Sequence, residues 1–73
     1  MRIDAMESSL RNHLKGQVSE IIKGVAVSEI VVETAAGTIA SVITTRSVER
    51  LDLKIGDEVY AVIKASEVGI EKP

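Results

Sequence analysis

Alternation between apolar and polar positions is the main feature of the chain from about residue 15 onward. β-Branched residues are dense between 15 and 34, where Ser, Glu and Lys separate them, and this composition favours strand over helix. Gly24 is the clearest interruption of this stretch. We therefore predict two antiparallel strands, roughly 15–23 and 26–34, with a turn near Gly24.

Two more strands and one helix follow. Gly37 marks a compact turn because glycine adopts a positive φ at no steric cost, and the alternating residues 39–44 predict a third strand. Thr44 or Thr45 can then cap a helix of one or two turns. Residues 58–64 alternate as expected for a fourth strand with one buried face.

A short fifth strand is predicted near the C-terminal end, over residues 68–71. Five short strands with one small helix between the third and fourth are typical of an OB-like barrel, so the predicted fold class is all-β. We assign this domain to residues 9–73 and predict that residues 1–8 form a flexible N-terminal extension.

Composition narrows the candidate functions. The chain has 73 residues, no cysteine and one histidine, so neither a disulfide nor a site for a bare metal cation is expected to supplement its small core. Association into a homo-oligomer is the remaining way to add stability to a domain of this size. The single aromatic residue, Tyr60, and the net charge of -2 argue against a surface that binds nucleic acid.

Membrane and catalytic roles are not expected either. No segment resembles a signal peptide or a membrane span, so we expect a cytoplasmic protein without a membrane partner. The chain lacks a Gly-x-Ser-x-Gly elbow and a glycine-rich phosphate loop. No nucleophile or carboxylate is visibly arranged around His13, so no catalytic residue is assigned.

Two short stretches offer hydrogen-bond donors suited to an anion. In the first, Ser9 and Arg11 would share one face of an extended segment, and Gly16 would let the backbone turn before the first strand. The second is the predicted helix start. There the hydroxyls of Thr44 and Ser47 would lie beside backbone N–H groups that have no intrahelical partner.

A third donor stretch is Lys64-Ala65-Ser66, where a strand ending in lysine meets a turn with free amides. Each stretch also fits a role without a ligand. The first would be a solvated leader, the second an ordinary helix cap, and Lys64 a surface lysine. Taken singly, the residues leave these alternatives open.

Three motifs, in this order and at this spacing, resemble the molybdenum-pterin-binding (Mop) or molbindin family, within the wider transport-associated OB group. They are Ser9-x-Arg11-Asn12-x-Leu14-Lys15-Gly16, Ile43-Thr44-x-x-Ser47-Val48 and Gly56-Asp57-x-Val59-x-Ala61-x-Ile63-Lys64-Ala65-Ser66-x-Val68. The resemblance runs from about Ser9 to Lys72.

The resemblance implies an OB-like barrel that binds molybdate or tungstate between subunits, with a hexamer built as a trimer of dimers. The implied role is non-enzymatic storage or buffering of the oxyanion. The alternatives are a molybdate-sensing domain of a larger regulator or transporter ATPase and, in another class, a generic OB-fold module for nucleic acid or carbohydrate. Carried over by position, the oxyanion contacts would come from Ser9, Arg11, Thr44, Ser47, Lys64, Ala65 and Ser66.

Overall fold

The computed structural model describes residues 9–73 as four β-strands, one α-helix and one 3-10 turn. The strands are β1 (Asn12–Lys23), β2 (Val27–Thr34), β3 (Gly37–Thr44) and β4 (Glu58–Ile63). The helix α1 (Thr45–Arg50) connects β3 to β4, and the 3-10 turn covers Ala65–Glu67. The predicted all-β class, with its short helix between the third and fourth strands, is confirmed.

The four strands form one sheet in the order β3-β2-β1-β4, and every neighbouring pair is antiparallel. β1 is shared between two partners. Its N-terminal part pairs with β4, beginning with Asn12 opposite Ile63. From Gly16 onward it pairs with β2, ending with Lys23 opposite Ser28. The two ends of β1 are therefore next to different strands and different connections.

The hydrophobic core is small and entirely aliphatic. Its fully buried members come from β1, β2 and α1, and are Val18, Ile30, Val32 and Val48. Partly buried aliphatic side chains pack around them, namely Ile21, Ile43, Leu53 and Val59. Val48 connects the helix to the sheet, so α1 is held across the inner face of the sheet by one buried side chain and by its first residue, Thr45.

The fifth strand predicted over 68–71 is not formed. No ladder among residues 9–73 includes this segment, and residues 68–73 are exposed without regular secondary structure. The strand count is therefore four. The alternation of Val68 and Ile70 indicated a strand, but a strand also requires a hydrogen-bonded neighbour, which the described chain does not provide here.

β1 begins three residues earlier than predicted, at Asn12, because pairing with β4 extends it. Gly16 is consequently inside the strand and not at a turn before it. A Cβ at this position would overlap the carbonyl oxygen of Glu33 and would approach Val32 Cγ1 to 2.8 Å. The glycine therefore permits close approach of β1 to β2. The other predicted boundaries agree within a few residues, including the turn near Gly24.

The N-terminal extension predicted over 1–8 lies outside the described residues. Within residues 9–73, no helix is long and apolar enough to cross a membrane.

Candidate oxyanion site

The first group of predicted donors lies where β1 begins and β4 ends. Asn12 stands opposite Ile63 in the ladder, and its side-chain Nδ2 donates to the Ile63 carbonyl oxygen at 3.0 Å. Arg11 and Lys64 are the next residues outward from this pair. Both are exposed, and neither forms an ion pair with another described residue. The sheet thus presents two uncompensated cations at one corner, beside the exposed Ser9.

Lys64 also begins the 3-10 turn at this corner. Its backbone is extended, with φ -65° and ψ 133°, and its carbonyl oxygen accepts from Glu67 N at 2.8 Å. The first amides of such a turn have no acceptor within it. Ala65 and Ser66, which carry those amides, are exposed. The predicted lysine, amide and hydroxyl donors are therefore consecutive at the surface.

The second group of donors lies at the start of α1. Thr44 is the N-cap, and its Oγ1 accepts from Ser47 N at 3.1 Å. The Thr44 hydroxyl also donates to Ser47 Oγ at 2.8 Å. This arrangement is the helix cap expected for these residue types, and it leaves the Ser47 hydroxyl proton available to another acceptor.

Arg46 is a feature of this second group that the sequence analysis did not assign to the site. With Val25, Ala26 and Thr44 it lines an open concavity of about 320 Å³. The first turn of α1 contains no acidic residue, although acids are favoured there by the helix dipole. An arginine in that place adds positive potential to an end that already attracts anions. A basic residue in the first turn of a helix, where acidic residues are usual, is the feature of the sequence that could have indicated Arg46 as a site residue.

The helix start is fixed by buried hydrogen bonds. Ser28 Oγ and Thr45 Oγ1 lie 2.7 Å apart, and Thr45 Oγ1 donates to the carbonyl oxygen of Gly24 at 2.8 Å. The backbone N–H of Thr45 donates to Ala26 O at 3.0 Å. The residues flanking Thr45 are thus held in one orientation relative to β2.

The two donor groups lie at opposite ends of β1 within one chain. Arg11 precedes the first residue of β1, whereas Thr44 pairs with Val27, which follows the far end of the strand at Lys23. Twelve residues of strand separate them, on the order of 30–40 Å along the backbone. The longest dimension of the described chain is 35 Å. No residue of the first group lines the concavity at the start of α1.

Comparison with known proteins identifies the family. Residues 8–70 match the TOBE domain family. Molybdenum-pterin-binding protein 1 from Clostridium pasteurianum is 48% identical over 66 residues, which are 89% of this chain and 97% of that protein. The chain belongs to the molybdenum-pterin-binding (Mop) family of TOBE domains.

Two solved structures of similar proteins share the fold of this Mop-family chain. A molybdate-binding protein from Sporomusa ovata superimposes with a TM-score of 0.87 at 40% identity, covering 92% of this chain and 100% of that one. The cytoplasmic molybdate-binding protein ModG, solved with molybdate bound, has a TM-score of 0.76 at 38% identity over 81% of this chain and 43% of that chain. The OB-like fold predicted from the motifs is confirmed.

The structure brings the predicted site residues of this Mop-family chain together as two sets and not as one. The corner set contains Ser9, Arg11, Lys64, Ala65 and Ser66, and the helix set contains Thr44 and Ser47. Both sets are at the surface and not in the core.

His13, the one histidine of this Mop-family chain, lies in β1 opposite Val62. Its Nε2 atom is buried without a hydrogen-bond partner among the described residues. No group of three or more His, Asp or Glu side chains in residues 9–73 is arranged to hold a metal ion.

Proposed function

We propose that this Mop-family chain binds molybdate or tungstate in pockets shared between the subunits of a homo-oligomer, a hexamer built as a trimer of dimers. The observation that carries the proposal is the separation of the corner set and the helix set at opposite ends of β1. Each set alone is an incomplete, open surface. A pocket with both sets requires the corner of one subunit and the helix start of another.

The combined donors suit a tetrahedral dianion. Molybdate accepts hydrogen bonds on all four oxygen atoms and donates none at neutral pH. The corner set supplies the cations of Arg11 and Lys64 with hydroxyl and amide donors, and the helix set supplies hydroxyls beside the first amides of α1. None of the seven assigned residues carries a carboxylate. Phosphate, which is partly protonated near neutral pH, would lack an acceptor for its own proton.

Exposed apolar surface supports the oligomer. Only four hydrophobic side chains are fully buried among residues 9–73, whereas nine large hydrophobic side chains are exposed. Three of the exposed ones share the outer face of the sheet, because Ile22 and Val42 both stand opposite Glu29 and Val27 is two residues before it. Several apolar side chains exposed on one face of a sheet are typical of a protein interface.

The role that follows is reversible storage and buffering of the oxyanion in the cytoplasm, without catalysis. The proposed site consists of donors and cations, and it contains neither a nucleophile nor a general base directed at the ligand. Similar proteins are named for binding molybdenum-pterin or molybdate. Release would then depend on ligand concentration and on the stability of the oligomer.

Subunit mixing tests whether the pocket is shared. Lys64→Met damages the corner set, Ser47→Ala damages the helix set, and each purified variant should bind molybdate roughly 10- to 100-fold more weakly than the unaltered chain. When the two variants are unfolded together and refolded, some interfaces join an intact corner to an intact helix start. Calorimetry and native mass spectrometry of the mixture should therefore recover a fraction of tight sites.

The matched control is Lys54→Met, which removes an exposed lysine paired with Asp52 away from both sets. This variant should bind molybdate with unchanged affinity. A mixture that recovers no tight sites, although both variants are folded and assembled, would contradict a shared pocket. Full molybdate occupancy of a monomer would contradict it as well.

A further inference from the structure

Arg46 is an exposed cation near the start of α1. No ion pair among residues 9–73 includes it. Glu49, three residues later, is the acid that helical geometry would place beside Arg46, and it pairs instead with Lys23 at 3.5 Å. The charge of the guanidinium is therefore uncompensated within the described part of the chain.

Arg50 adds to this charge. The buried residues of α1 are Thr45 and Val48, whereas Arg46 and Arg50 are exposed. The two arginines are four residues apart, a spacing at which like charges face each other and destabilise a helix. Arg50 also forms no ion pair among residues 9–73. The exposed side of α1 thus carries two cations that repel each other.

Of these two arginines, only Arg46 borders the helix set. Arg46 and Thr44 line the same concavity of about 320 Å³, and Arg50 does not line it. A guanidinium offers only hydrogen-bond donors and a permanent positive charge, so the partner that suits it in this concavity is an anion. Arg46 is therefore placed to act on a ligand that the helix set binds.

The proposed shared pocket brings two more cations to this place. The corner set of a second subunit contributes Arg11 and Lys64, which are exposed and form no ion pair among the described residues. No residue assigned to the pocket carries a carboxylate. An empty pocket therefore gathers three like charges. Their repulsion extends over the Debye length, about 8 Å at physiological ionic strength.

A bound dianion reverses this balance. It replaces the mutual repulsion of Arg46, Arg11 and Lys64 with attraction to a common partner. Hydrogen bonds between a charged donor and a charged acceptor are also stronger than those between neutral groups. The same arginine then opposes one state of the interface and stabilises the other.

We propose that Arg46 makes association of the subunits depend on the oxyanion. Its charge weakens the interface while the shared pocket is empty and strengthens the interface once molybdate or tungstate is bound. The inference rests on the shared pocket of the proposed function. Arg46 is exposed and is not part of the hydrophobic core, so the fold itself does not require this charge.

Arg46→Gln tests both effects, because glutamine keeps a polar side chain suited to a helix but removes the charge. Analytical ultracentrifugation over a dilution series should show that the dissociation constant of the empty oligomer falls roughly threefold or more. Calorimetry on the assembled oligomer should show that the dissociation constant for molybdate rises roughly tenfold or more. The two changes have opposite signs, whereas damage to the fold would weaken both association and binding.

The matched control is Arg50→Gln, which removes the same charge from the exposed side of α1 but outside the concavity. It should leave both dissociation constants within about twofold. Arg46→Lys separates charge from hydrogen-bond geometry. It should keep the weak association of the empty chain and bind molybdate less tightly, because an ammonium group lacks the planar fork of the guanidinium.

Ionic strength measures the same charges without a substitution. Raising it from about 0.01 M to about 0.15 M shortens the Debye length from about 30 Å to about 8 Å. The empty unaltered chain should then associate more tightly, because the repulsion is screened, and the molybdate-bound chain less tightly. Both changes should be smaller for Arg46→Gln. Equal salt dependence of the unaltered chain and Arg46→Gln would overturn the proposal.

The outcomes separate this inference from the proposed function. An empty Arg46→Gln chain that associates more weakly than the unaltered chain, or that matches Arg50→Gln in both measurements, overturns the role of Arg46. The proposed function is unaffected by that result if the unaltered chain binds molybdate and subunit mixing recovers tight sites. An unaltered oligomer that binds no molybdate contradicts the proposed function, and the role of Arg46 fails with it.

Discussion

The hydroxyl groups of Ser28 and Thr45 lie 2.7 Å apart in an otherwise aliphatic interior. Ser28 is 2% exposed and Thr45 is 8% exposed, and they are the buried polar side chains among residues 9–73. Because Thr45 donates to Gly24 O, it accepts the proton of Ser28, and both groups are satisfied. This pair fixes the start of α1, and with it the donors Thr44 and Ser47, against β2.

The first prediction concerns this pair. Thr45→Val preserves the shape of the side chain but leaves Ser28 Oγ without its acceptor and Gly24 O without its donor. We expect the free energy of unfolding to fall by about 1–3 kcal/mol, as measured by urea denaturation. Thr38→Val removes an exposed hydroxyl from the same sheet and should change stability by no more than about 0.5 kcal/mol. If Thr45→Val and Thr38→Val lower the free energy of unfolding equally, the buried hydroxyl pair does not stabilise the fold more than an exposed hydroxyl does.

Local pattern was sufficient to predict most elements of this fold. Alternation located three of the four strands closely, and Thr44, one of the two residues predicted to cap the helix, is the N-cap of α1. The start of β1 was missed because it depends on a ladder with β4, about fifty residues later in the chain. Short-range periodicity carries no information about such a pairing.

For the candidate site, too, local sequence predicted the residue types, whereas their arrangement depends on long-range strand pairing. The residue types at Arg11, Lys64 and Thr44 identified anion donors, and register then placed them at two distant corners. No local pattern predicts that separation, because it depends on which strands are neighbours. The expected strand at 68–71 failed for a related reason, since its alternation was correct but its partner is not in the described chain.

The second prediction concerns Gly16. Its backbone is not in the left-handed region, and glycine is required there for space, because an added Cβ would overlap Glu33 O and lie 2.9 Å from Thr34 Cγ2. Gly16→Ala should therefore destabilise the chain by about 1–3 kcal/mol or more by forcing β1 away from β2. Gly69→Ala is the control, since nothing lies within 4 Å of its added Cβ. Thermal unfolding of both variants measures the difference, and a neutral Gly16→Ala would contradict this assignment.

The third prediction concerns the end of α1, where Asp52 has a φ of 52°. This left-handed position directly follows the helix C-cap at Leu51, and glycine adopts it without steric cost. Asp52→Gly should raise the free energy of unfolding by about 0.5–1 kcal/mol. Asp52→Ala removes the same carboxylate but keeps a Cβ, so it should not stabilise. Chemical denaturation of the two variants measures both free energies of unfolding. Their difference separates the relief of the steric cost at positive φ from the loss of the carboxylate charge.

The same carboxylate affects an exposed lysine. Lys54 Nζ donates a hydrogen bond to Asp52 Oδ2 at 2.6 Å, and this bond, together with the charge of Asp52, raises the pKa of Lys54. A raised pKa contributes stability while the lysine is protonated, and this contribution disappears as the pH rises through the alkaline range. Because both side chains are exposed, the contribution of the pair at neutral pH is small, and its loss does not offset the gain expected for Asp52→Gly.

The last prediction links ligand binding to assembly. A ligand that binds only the assembled, folded chain stabilises it by mass action, and each tenfold increase above the dissociation constant adds about 1.4 kcal/mol. Molybdate and tungstate should therefore raise the thermal midpoint, whereas phosphate should have a smaller effect because a pocket of donors offers no acceptor for its proton. Lys64→Met and Ser47→Ala, at opposite ends of β1, should each reduce the shift.

Protein concentration distinguishes a shared pocket from a site within one chain. If two subunits complete each pocket, molybdate also favours association, so native mass spectrometry of a diluted sample should show more hexamer when molybdate is added. A thermal shift that persists unchanged in a fully dissociated sample would place the ligand within one chain. Because the corner set and the helix set of one chain lie on the order of 30–40 Å apart along β1, such a site would have to use only one of them.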